Sequence, residues 1–564
     1  MLFAFLSRVY RRDTTITMLA VTSMCVLTLL ITRSTFFGDT LLYESNIASY
    51  LDGRIPFAGL LDFGHLIWRP LGALLAFHGD AAYESTLARV NTILLSLNLI
   101  ASFVCVWALW ALLRLTKKVT AGPLILVVAA FVTTNGFVNL SRSGSSWLSG
   151  LACVTLACCF TLVAERRYRA SEPAAFYWIA AMLTTALAVL LWVPYVLTVL
   201  PIICAGLLER PDNPSWKTVL RAAIRVLPGA VLLVMAAYVW AICDLHITST
   251  PELLAWIRHA AHGEARDASI ARCFFGFPRS FFLLGDNGIV WKQFLFHDPF
   301  ARRTALEVAA AGTWILALFY GTLAVAGWFF LRDRSDRGTA IWAVAGIVPT
   351  IALALLFEAG SVERYLALYP MVLVVIGILL TSARTPHPLR VLLVLLILVQ
   401  VSNNLYASFR SRIDRESAAL LQRVAPFENV PGGATVWVVN LNDKLSALYD
   451  GPEYATRSDL PQVALLVPVM NQDVPKWKAN FAKSAESRWA AGGEVWISKR
   501  AWATQPLREW LWVENDDPRI RWADVHNFVI HLDTDAEAGG ADGFLRAANT
   551  PANRATIIAA ASQH

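Results

Sequence analysis

Long apolar stretches recur through the first 408 residues of the chain and give way to a mixed sequence after that point. A stretch of about twenty apolar residues is long enough to cross the hydrocarbon core of a bilayer as a helix. A helix is favoured there because it satisfies the hydrogen bonds of its own backbone. The pattern predicts a polytopic α-helical membrane protein with about eleven transmembrane helices. Their expected positions are 14–33, 87–113, 121–138, 146–164, 174–192, 194–208, 222–243, 306–331, 340–357, 366–382 and 390–407.

The fifth and sixth of these helices come from a single apolar run over residues 174–208. Pro194 and Pro201 interrupt this run. A proline inside a helix removes a backbone N–H and clashes with the preceding turn. We therefore divide the run into two helices that meet in a tight turn around Trp192.

The segments between the predicted helices alternate in charge. Cytoplasmic loops of membrane proteins carry an excess of Lys and Arg. With a cytoplasmic N-terminus, every inner segment is basic, whereas the short outer segments have one basic residue each, Arg142 and Arg364. One helix more or fewer would break this alternation. The sequence therefore predicts a multi-pass protein of the cell inner (plasma) membrane, with outer loops at 34–86 and 244–305.

The composition supports a membrane protein, since 56% of the residues are hydrophobic and 16% are charged, against about 25% charged in soluble domains. The net charge of +7 comes mostly from the inner segments, so we expect membrane lipid and no nucleic acid as a partner. The eight cysteines lie mainly in the apolar stretches, and their spacing predicts neither a disulfide framework nor a metal knuckle.

The composition changes after the last apolar stretch, which divides the chain into a transmembrane domain (1–408) and a C-terminal domain (409–564). On the predicted topology the C-terminal domain is soluble and lies in the periplasm or outside the cell. Its short strand-like runs alternate with helical patterns, which indicates a small α/β domain. The expected strands are Ala434–Val439, Gly493–Ser498 and Phe528–His531, and the expected helices are 473–491 and 504–512.

The first outer loop contains polar residues that are candidates for chemistry. Residues 39–51 have the spacing of a helix lying in the membrane interface, with Asp39 at its start as a helix cap or a catalytic carboxylate. Glu44 falls within the same predicted helix, and His65 and Arg69 follow later in the loop. The structural alternative is a hydrogen bond to the loop for His65 and snorkelling to the interface for Arg69.

A second polar segment, Glu363-Arg364-Tyr365, opens a late helix and is followed by Pro370. Together with an acidic residue just after the first helix, this segment resembles the GT-C superfamily of membrane glycosyltransferases. The superfamily includes the protein mannosyltransferases and the lipid A aminoarabinose and Rgt-type transferases. The plan of basic cytoplasmic loops, outer loops and a soluble C-terminal domain is also similar.

The first loop departs from the family pattern in one respect. Many members carry two adjacent acidic residues there, whereas Thr40 follows Asp39 in this chain and the next acid is Glu44. The division of labour between Asp39 and Glu44 therefore stays open.

The resemblance implies transfer of a sugar from a polyprenyl-phosphate carrier to a lipid, glycan or protein acceptor on the extracytoplasmic face. A positioned carboxylate, Asp39 or Glu44, would take the proton of the acceptor hydroxyl. Arg364, or in second place Arg69, would stabilise the negative charge of the departing phosphate.

Three further residues complete the predicted site. His65 would bind the acceptor or the phosphate, or assist a divalent metal, while Glu363 and Tyr365 would contribute to substrate binding. A divalent metal is an open possibility, and no other cofactor is expected.

Two other functions stay open at this point. One is a non-catalytic or transport protein that handles lipid-linked oligosaccharide, and the other is a polymerase or ligase of surface polysaccharide. The chain has no recognisable internal repeat and no series of charged residues within its apolar stretches, which counts against a secondary transporter.

Overall fold

A computed structural model gives the architecture of most of the chain. The residues form two compact units, the first made of Met1–Asp80, Arg89–Gly288 and Thr304–Arg412, and the second of Ala81–Ala88, Ile289–Arg303 and Ile413–His564. The described residues are 11–32, 40–53, 55–77, 83–116, 119–260, 270–283, 314–357, 361–416, 429–431, 434–438, 462–465, 474–502, 526–540 and 543–562.

Helices make up nearly all of the described part of the first unit. The α-helices are α1 (Arg11–Ile31), α2 (Thr40–Leu51), α3 (Trp68–Ala76), α4 (Tyr83–Leu115), α5 (Ala121–Val132), α6 (Asn135–Leu140), α7 (Trp147–Arg169), α8 (Ala175–Leu191), α9 (Val199–Cys204), α10 (Trp216–Asp244), α11 (Thr250–Ala260), α12 (Ile270–Phe281), α13 (Trp314–Arg332), α14 (Arg337–Leu356), α15 (Tyr369–Thr381) and α16 (His387–Glu416). Short 3-10 helices lie at Phe57–Leu60, Val193–Thr198, Ala205–Glu209, Arg334–Asp336 and Val362–Leu368.

Each of the eleven predicted stretches contains helix where the chain is described, but the stretch 121–138 is divided into α5 and α6 at Thr133 and Thr134. Eight helices in that part of the chain are long and apolar enough to cross a membrane, and three apolar helices are shorter. The prediction of a polytopic helical membrane protein is confirmed, while the number of crossings stays a prediction. The shorter three are Ala121–Val132, Ala175–Leu191 and Val193–Glu209.

Two spans occupy the centre of the helix bundle. In both Trp147–Arg169 and Val362–Thr381, 83% of the most apolar window is buried, whereas in Trp216–Asp244 only 17% is. A helix that is apolar on all sides and largely exposed is suited to contact with lipid. The central spans therefore carry the residues at their starts, Trp147 and Arg364, into the middle of one end of the bundle.

Ion pairs join the segments that the sequence predicts to be cytoplasmic. The side chain of Glu165 is fully buried and lies 2.6 Å from both Arg169 Nε and Arg221 Nη1. Arg166 Nε lies 2.6 Å from Glu209 Oε2 in the neighbouring loop. The basic segments thus meet at one end of the bundle, and the side of the membrane that this end faces stays a prediction.

The second unit contains a five-stranded sheet in the order β2-β1-β3-β5-β4. The strands β1, β2 and β3 are parallel, and β5 runs antiparallel to both β3 and β4. The strands are β1 (Thr435–Val438), β2 (Gln462–Leu465), β3 (Val495–Ser498), β4 (Thr534–Ala538) and β5 (Phe544–Ala547), with helices α17 (Val474–Ala490) and α18 (Pro551–Ser562) and a 3-10 helix at Lys499–Trp502.

The predicted α/β character of this region is confirmed, with one correction. The expected strand at Phe528–His531 is wrong, because residues 526–529 are helical. Phe528 and Val529 are both buried, and a short apolar run does not distinguish a strand from a helical turn. The strand β4 is polar and largely exposed, so it lacks the apolar signal on which the prediction rested. The expected helix at 504–512 lies outside the described residues.

Replacement of the buried acid, Glu165→Gln, is expected to destabilise the first unit. The substitution leaves Arg169 and Arg221 without their counter-charge, and breaking a buried pair costs about 3–5 kcal/mol. Both arginines are about a quarter exposed, so we expect about 3 kcal/mol and a lower midpoint of thermal denaturation in detergent.

The matched control is Glu172→Gln. Glu172 is 53% exposed and its carboxylate lies 3.6 Å from Arg167 Nε, so its loss should change stability by less than about 1 kcal/mol. Equal melting temperatures for the two variants would contradict a stabilising role for the buried cluster.

Candidate functional site

The first outer loop begins with helix α2, which confirms the helix predicted over residues 39–51. Tyr43, Glu44 and Ile47 are buried, so one face of this helix packs against the bundle. Thr40 Oγ1 accepts a hydrogen bond of 2.6 Å from the N–H of Gly144, in the turn before α7. This contact fixes the start of α2 against the turn before α7. Asp39 lies outside the described residues.

Asp62 organises the second half of the loop, although the sequence did not single it out. Its Oδ1 accepts hydrogen bonds from the N–H groups of Gly64 (2.7 Å) and His65 (3.2 Å), and its Oδ2 lies 2.9 Å from Arg69 Nη2. Arg69 also lies over the ring of Tyr43, with Cζ 5.0 Å from the centroid. Asp62 therefore holds both His65 and Arg69, and it neutralises part of the charge of Arg69.

His65 connects the loop to the start of α7 and the end of α8. Its Nδ1 lies 2.7 Å from Ser146 Oγ and 3.0 Å from the carbonyl oxygen of Leu191. Ser146 Oγ donates its own proton to the same carbonyl at 2.6 Å. Because a carbonyl only accepts, this arrangement favours a proton on His65 Nδ1 and leaves Nε2 as the other ring position of the neutral imidazole.

Backbone hydrogen bonds reinforce this connection. The N–H of Val193 donates to the carbonyl of Gly64 at 3.0 Å, and the N–H of Ile67 donates to the carbonyl of Leu190 at 3.3 Å. The first loop is thus joined to the point where the apolar run of 174–208 is broken. The turn predicted around Trp192 is present there, between α8 and the 3-10 helix Val193–Thr198.

A row of aromatic rings links the two segments that the sequence proposed for the site. The Tyr43 and His65 centroids are 5.5 Å apart, and Trp147 lies 6.3 Å from both His65 and Trp192. Arg364 lies over the Trp192 ring, with Cζ 5.4 Å from its centroid. The structure therefore brings Arg364 to the same aromatic row as the first loop. We call Tyr43, His65, Trp147 and Trp192 the aromatic row.

A buried tyrosine and a glycine support this row from inside the bundle. The Tyr195 ring lies 5.0 Å from that of Trp192, and its hydroxyl donates to the carbonyl of Trp147 at 2.7 Å. A Cβ atom at Gly150 would overlap the Tyr195 ring. Glycine at this position of α7 is therefore needed for Tyr195 to pack beside Trp192.

The segment containing Arg364 forms the 3-10 helix Val362–Leu368. Glu363 and Tyr365 are buried on either side of Arg364, which is itself half-buried. The hydroxyl of Tyr365 donates to the carbonyl of Cys273 in α12 at 3.4 Å. This bond gives Tyr365 a structural contact, and substrate binding by Glu363 and Tyr365 stays a prediction.

Glu44 is the carboxyl group of this region whose protonation is most altered. It is 1% exposed, and its Oε1 has no hydrogen-bond partner among the described residues. Burial disfavours the ionised form and raises the pKa of Glu44 from 4.5 to about 8. At neutral pH Glu44 is therefore mainly protonated, which makes it a poor general base and a potential hydrogen-bond donor.

Several residues of this site were missed at the level of sequence. Asp62 and Gly64 form an Asp-x-Gly pattern, which is typical of a side chain that hydrogen-bonds the backbone two residues later. Ser146, Trp147 and Trp192 lie at helix ends, and they carry no signal that separates them from other residues at the ends of apolar stretches.

No set of three or more His, Cys, Asp or Glu side chains is arranged as metal ligands within the described ranges. Asp39 is outside those ranges, so a divalent metal stays a prediction.

Two of the solved structures to which the chain is similar are ArnT and AglB. The crystal structure of ArnT from Cupriavidus metallidurans bound to undecaprenyl phosphate is 10% identical, with 95% of this chain and 98% of that chain covered and a TM-score of 0.49. The archaeal oligosaccharyltransferase AglB from Archaeoglobus fulgidus, in complex with an inhibitory peptide and a dolichol-phosphate, is 14% identical, with 96% and 74% covered and a TM-score of 0.46.

No family model and no curated protein sequence matches the chain. The polytopic helical class with a C-terminal α/β region is confirmed by the structure itself, and membership of the GT-C superfamily stays a prediction. At these identities and TM-scores the likeness concerns the fold alone, and no residue role follows from it.

The raised pKa of Glu44 predicts how stability depends on pH. A carboxyl group whose pKa rises on folding holds its proton more tightly in the folded state, so its burial costs nothing below pH 4.5 and progressively more up to pH 8. Glu44→Gln removes this cost. The variant should melt above the wild type at pH 8 and no higher than the wild type at pH 4.5, as measured by thermal denaturation in detergent.

The exposed carboxyl of Asp52, at the end of the same helix, provides the control. Asp52→Asn should leave the difference between pH 4.5 and pH 8 as it is in the wild type. A Glu44→Gln protein with the pH profile of the wild type would contradict a buried, neutral Glu44.

Proposed function

We propose that this protein is a GT-C-type glycosyltransferase of the cell inner membrane. It transfers a sugar from a polyprenyl-phosphate carrier to a lipid, glycan or protein acceptor on the extracytoplasmic face. The C-terminal domain, residues 409–564, lies on that same side and contributes acceptor recognition or a scaffold.

The observation that carries this proposal is the aromatic row between the first loop and Arg364. Aromatic faces suit the apolar faces of a sugar ring, and a guanidinium held over an aromatic ring suits a phosphate. The two arginines predicted for phosphate binding lie at the two ends of the row, over Tyr43 and over Trp192. All four rings are buried, so the row forms a wall behind the site and holds a guanidinium at each end for the phosphate of a sugar phosphate.

The reaction needs one base and one cationic group. As the acceptor oxygen forms its bond to the anomeric carbon, its proton passes to a carboxylate, and the bond from the anomeric carbon to the phosphate oxygen breaks. We assign the base to Asp39, because Glu44 is mainly protonated at neutral pH. Glu44 is then a hydrogen-bond donor to the substrate or to the loop.

The polyprenyl phosphate leaves with an additional negative charge, which a nearby guanidinium stabilises. Arg364 is the stronger candidate, because Arg69 already shares its charge with Asp62 at 2.9 Å. Arg69 is also buried, so we assign it to bracing the loop. We assign His65 to the acceptor hydroxyl and not to the phosphate, because Nε2 of the tautomer protonated on Nδ1 accepts a hydrogen bond and cannot donate one.

Loss of the base is the direct test of the proposed function. A strain that lacks the gene is complemented with the wild type or with Asp39→Asn, and its lipid and surface glycans are compared by mass spectrometry. The Asp39→Asn protein should accumulate in the membrane yet leave the glycans as in the deletion strain. Purified protein should show transfer reduced by at least about 100-fold, since a general base contributes roughly 100- to 10,000-fold.

Asp52→Asn is the matched control, because it removes an exposed carboxyl from the same loop, and it should restore the modification. Wild-type activity of Asp39→Asn would contradict the assignment of the base. Glycans that are unchanged in the deletion strain would contradict the proposed function. Accumulation of lipid-linked sugar on the cytoplasmic leaflet, with Asp39→Asn as active as the wild type, would instead indicate a transport protein.

The two arginines are expected to differ when each is replaced. Arg364→Gln should lower the transfer rate by roughly 100-fold with little change in melting temperature, because the guanidinium acts on charge that develops in the transition state. Arg69→Gln should lower the melting temperature, since it leaves the partly buried Asp62 without its partner at a cost of about 1–3 kcal/mol.

The double variant Arg69→Gln/Asp62→Asn provides the check on the second effect. Neutralising both partners should recover part of the lost stability, which a double-mutant cycle measures as a coupling energy. Additive losses would show that Arg69 and Asp62 are not coupled, and equal activity losses for the two arginines would contradict the proposed division of roles.

A further inference from the structure

A groove opens on the lipid-facing surface at the basic end of the first unit, far along the helices from the aromatic row. It lies between α5, the end of α15 and the start of α16, and has a volume of about 580 Å³. Leu126, Leu380, Val394 and Leu398 form its apolar wall. In a membrane such a groove is filled by lipid, because water has no polar partners along an apolar wall.

The groove is not uniformly apolar. His387 and Arg390, in the first turn of α16, line it together with the apolar residues. Arg390 donates from Nε to the carbonyl of Thr385 at 3.1 Å and from Nη2 to the carbonyl of Ala383 at 3.2 Å. These bonds hold the guanidinium in place, and its remaining N–H donors are left for a ligand.

The position of the two basic residues matches the chemistry of a phospholipid. An acyl chain requires an apolar channel along the helices, and its phosphate requires donors and positive charge at the level of the interface. The start of α5 lies at the same end of the groove as the start of α16, so the two helix dipoles add to the positive potential there. Basic pockets between transmembrane helices on the cytoplasmic side are suited to anionic head groups.

We propose that this groove is a binding site for an anionic phospholipid of the cytoplasmic leaflet. One acyl chain lies against Leu126 and Val394, and the phosphate is bound by Arg390 and His387. The charge of Arg390 distinguishes this lipid from the zwitterionic lipids around it. The site is separate from the proposed glycosyl transfer, which takes place at the other end of the bundle.

The test uses the full-length protein in phosphatidylcholine nanodiscs, titrated with phosphatidylglycerol and examined by native mass spectrometry. The wild type should retain one phosphatidylglycerol in preference to phosphatidylcholine. Arg390→Gln should weaken this retention roughly fivefold, since one basic group near the membrane surface contributes about 1 kcal/mol. Arg332→Gln, which removes a basic residue at the end of α13 outside the groove, should retain the lipid as the wild type does.

A second variant tests the groove without changing any charge. Gly122 lines the groove, and a Cβ atom there would have no neighbour within 4 Å, so Gly122→Leu fills the groove without a clash. It should reduce lipid retention at least fivefold while the melting temperature of the lipid-free protein is kept. Gly321 in α13 has the same open surroundings but lies outside the groove, and Gly321→Leu should leave retention unchanged.

Three results would overturn the proposal. Equal retention of phosphatidylcholine and phosphatidylglycerol by the wild type would remove the electrostatic basis of the site. Undiminished retention by Gly122→Leu would place the lipid elsewhere. Displacement of phosphatidylglycerol by equimolar undecaprenyl phosphate would show that a polyprenyl phosphate, and not a phospholipid, is the occupant.

Discussion

The break in the helical run at Trp192 is the constraint on which the end of the bundle with the aromatic row depends. A helix that ends inside a membrane protein leaves backbone groups that lipid cannot hydrogen-bond. Here the first outer loop satisfies them. The carbonyl of Leu191 accepts from His65, and the N–H of Val193 donates to the carbonyl of Gly64. These hydrogen bonds hold the loop in a fixed position. His65 and Arg69, which lie in this loop, are positioned as a consequence.

Arg69 and Arg364 have different surroundings in this arrangement. Arg69 is close to the break along the chain and is bound by Asp62, so part of its charge is used to hold the loop. Arg364 reaches the site from a central span and lies over an aromatic ring. Arg69 is thus part of the framework that holds the loop, whereas the role of Arg364 in the reaction stays a proposal.

The sequence predicted the helices well because their signal is strong and local. The length of the apolar stretches follows from the thickness of the bilayer, and the alternation of basic loops follows from the orientation of the helices in it. Neither signal depends on tertiary contacts. The break at Pro194 was predictable for the same reason, since proline restricts its own backbone. The strand expected at Phe528–His531 was wrong because a short apolar run is compatible with a strand and with a helical turn.

The site itself was only partly predictable. His65, Arg69 and Arg364 were recognised as polar residues in outer segments, but their partners were not. Asp62 acts through hydrogen bonds to backbone and side chain that depend on how the loop closes. The protonation of Glu44 likewise depends on burial against the bundle, which no local pattern in residues 39–51 reveals.

Gly150 lies in the first turn of helix α7, in contact with the ring of Tyr195, which in turn packs on Trp192. The spacing of the aromatic row is consequently set within the hydrophobic core, where all four of its rings are buried. Under the proposed function, replacing a small residue such as Gly150 by a larger one would move the aromatic row and so change which sugars are accepted. Selectivity in this architecture is a property of helix packing as much as of the loops that face the solvent.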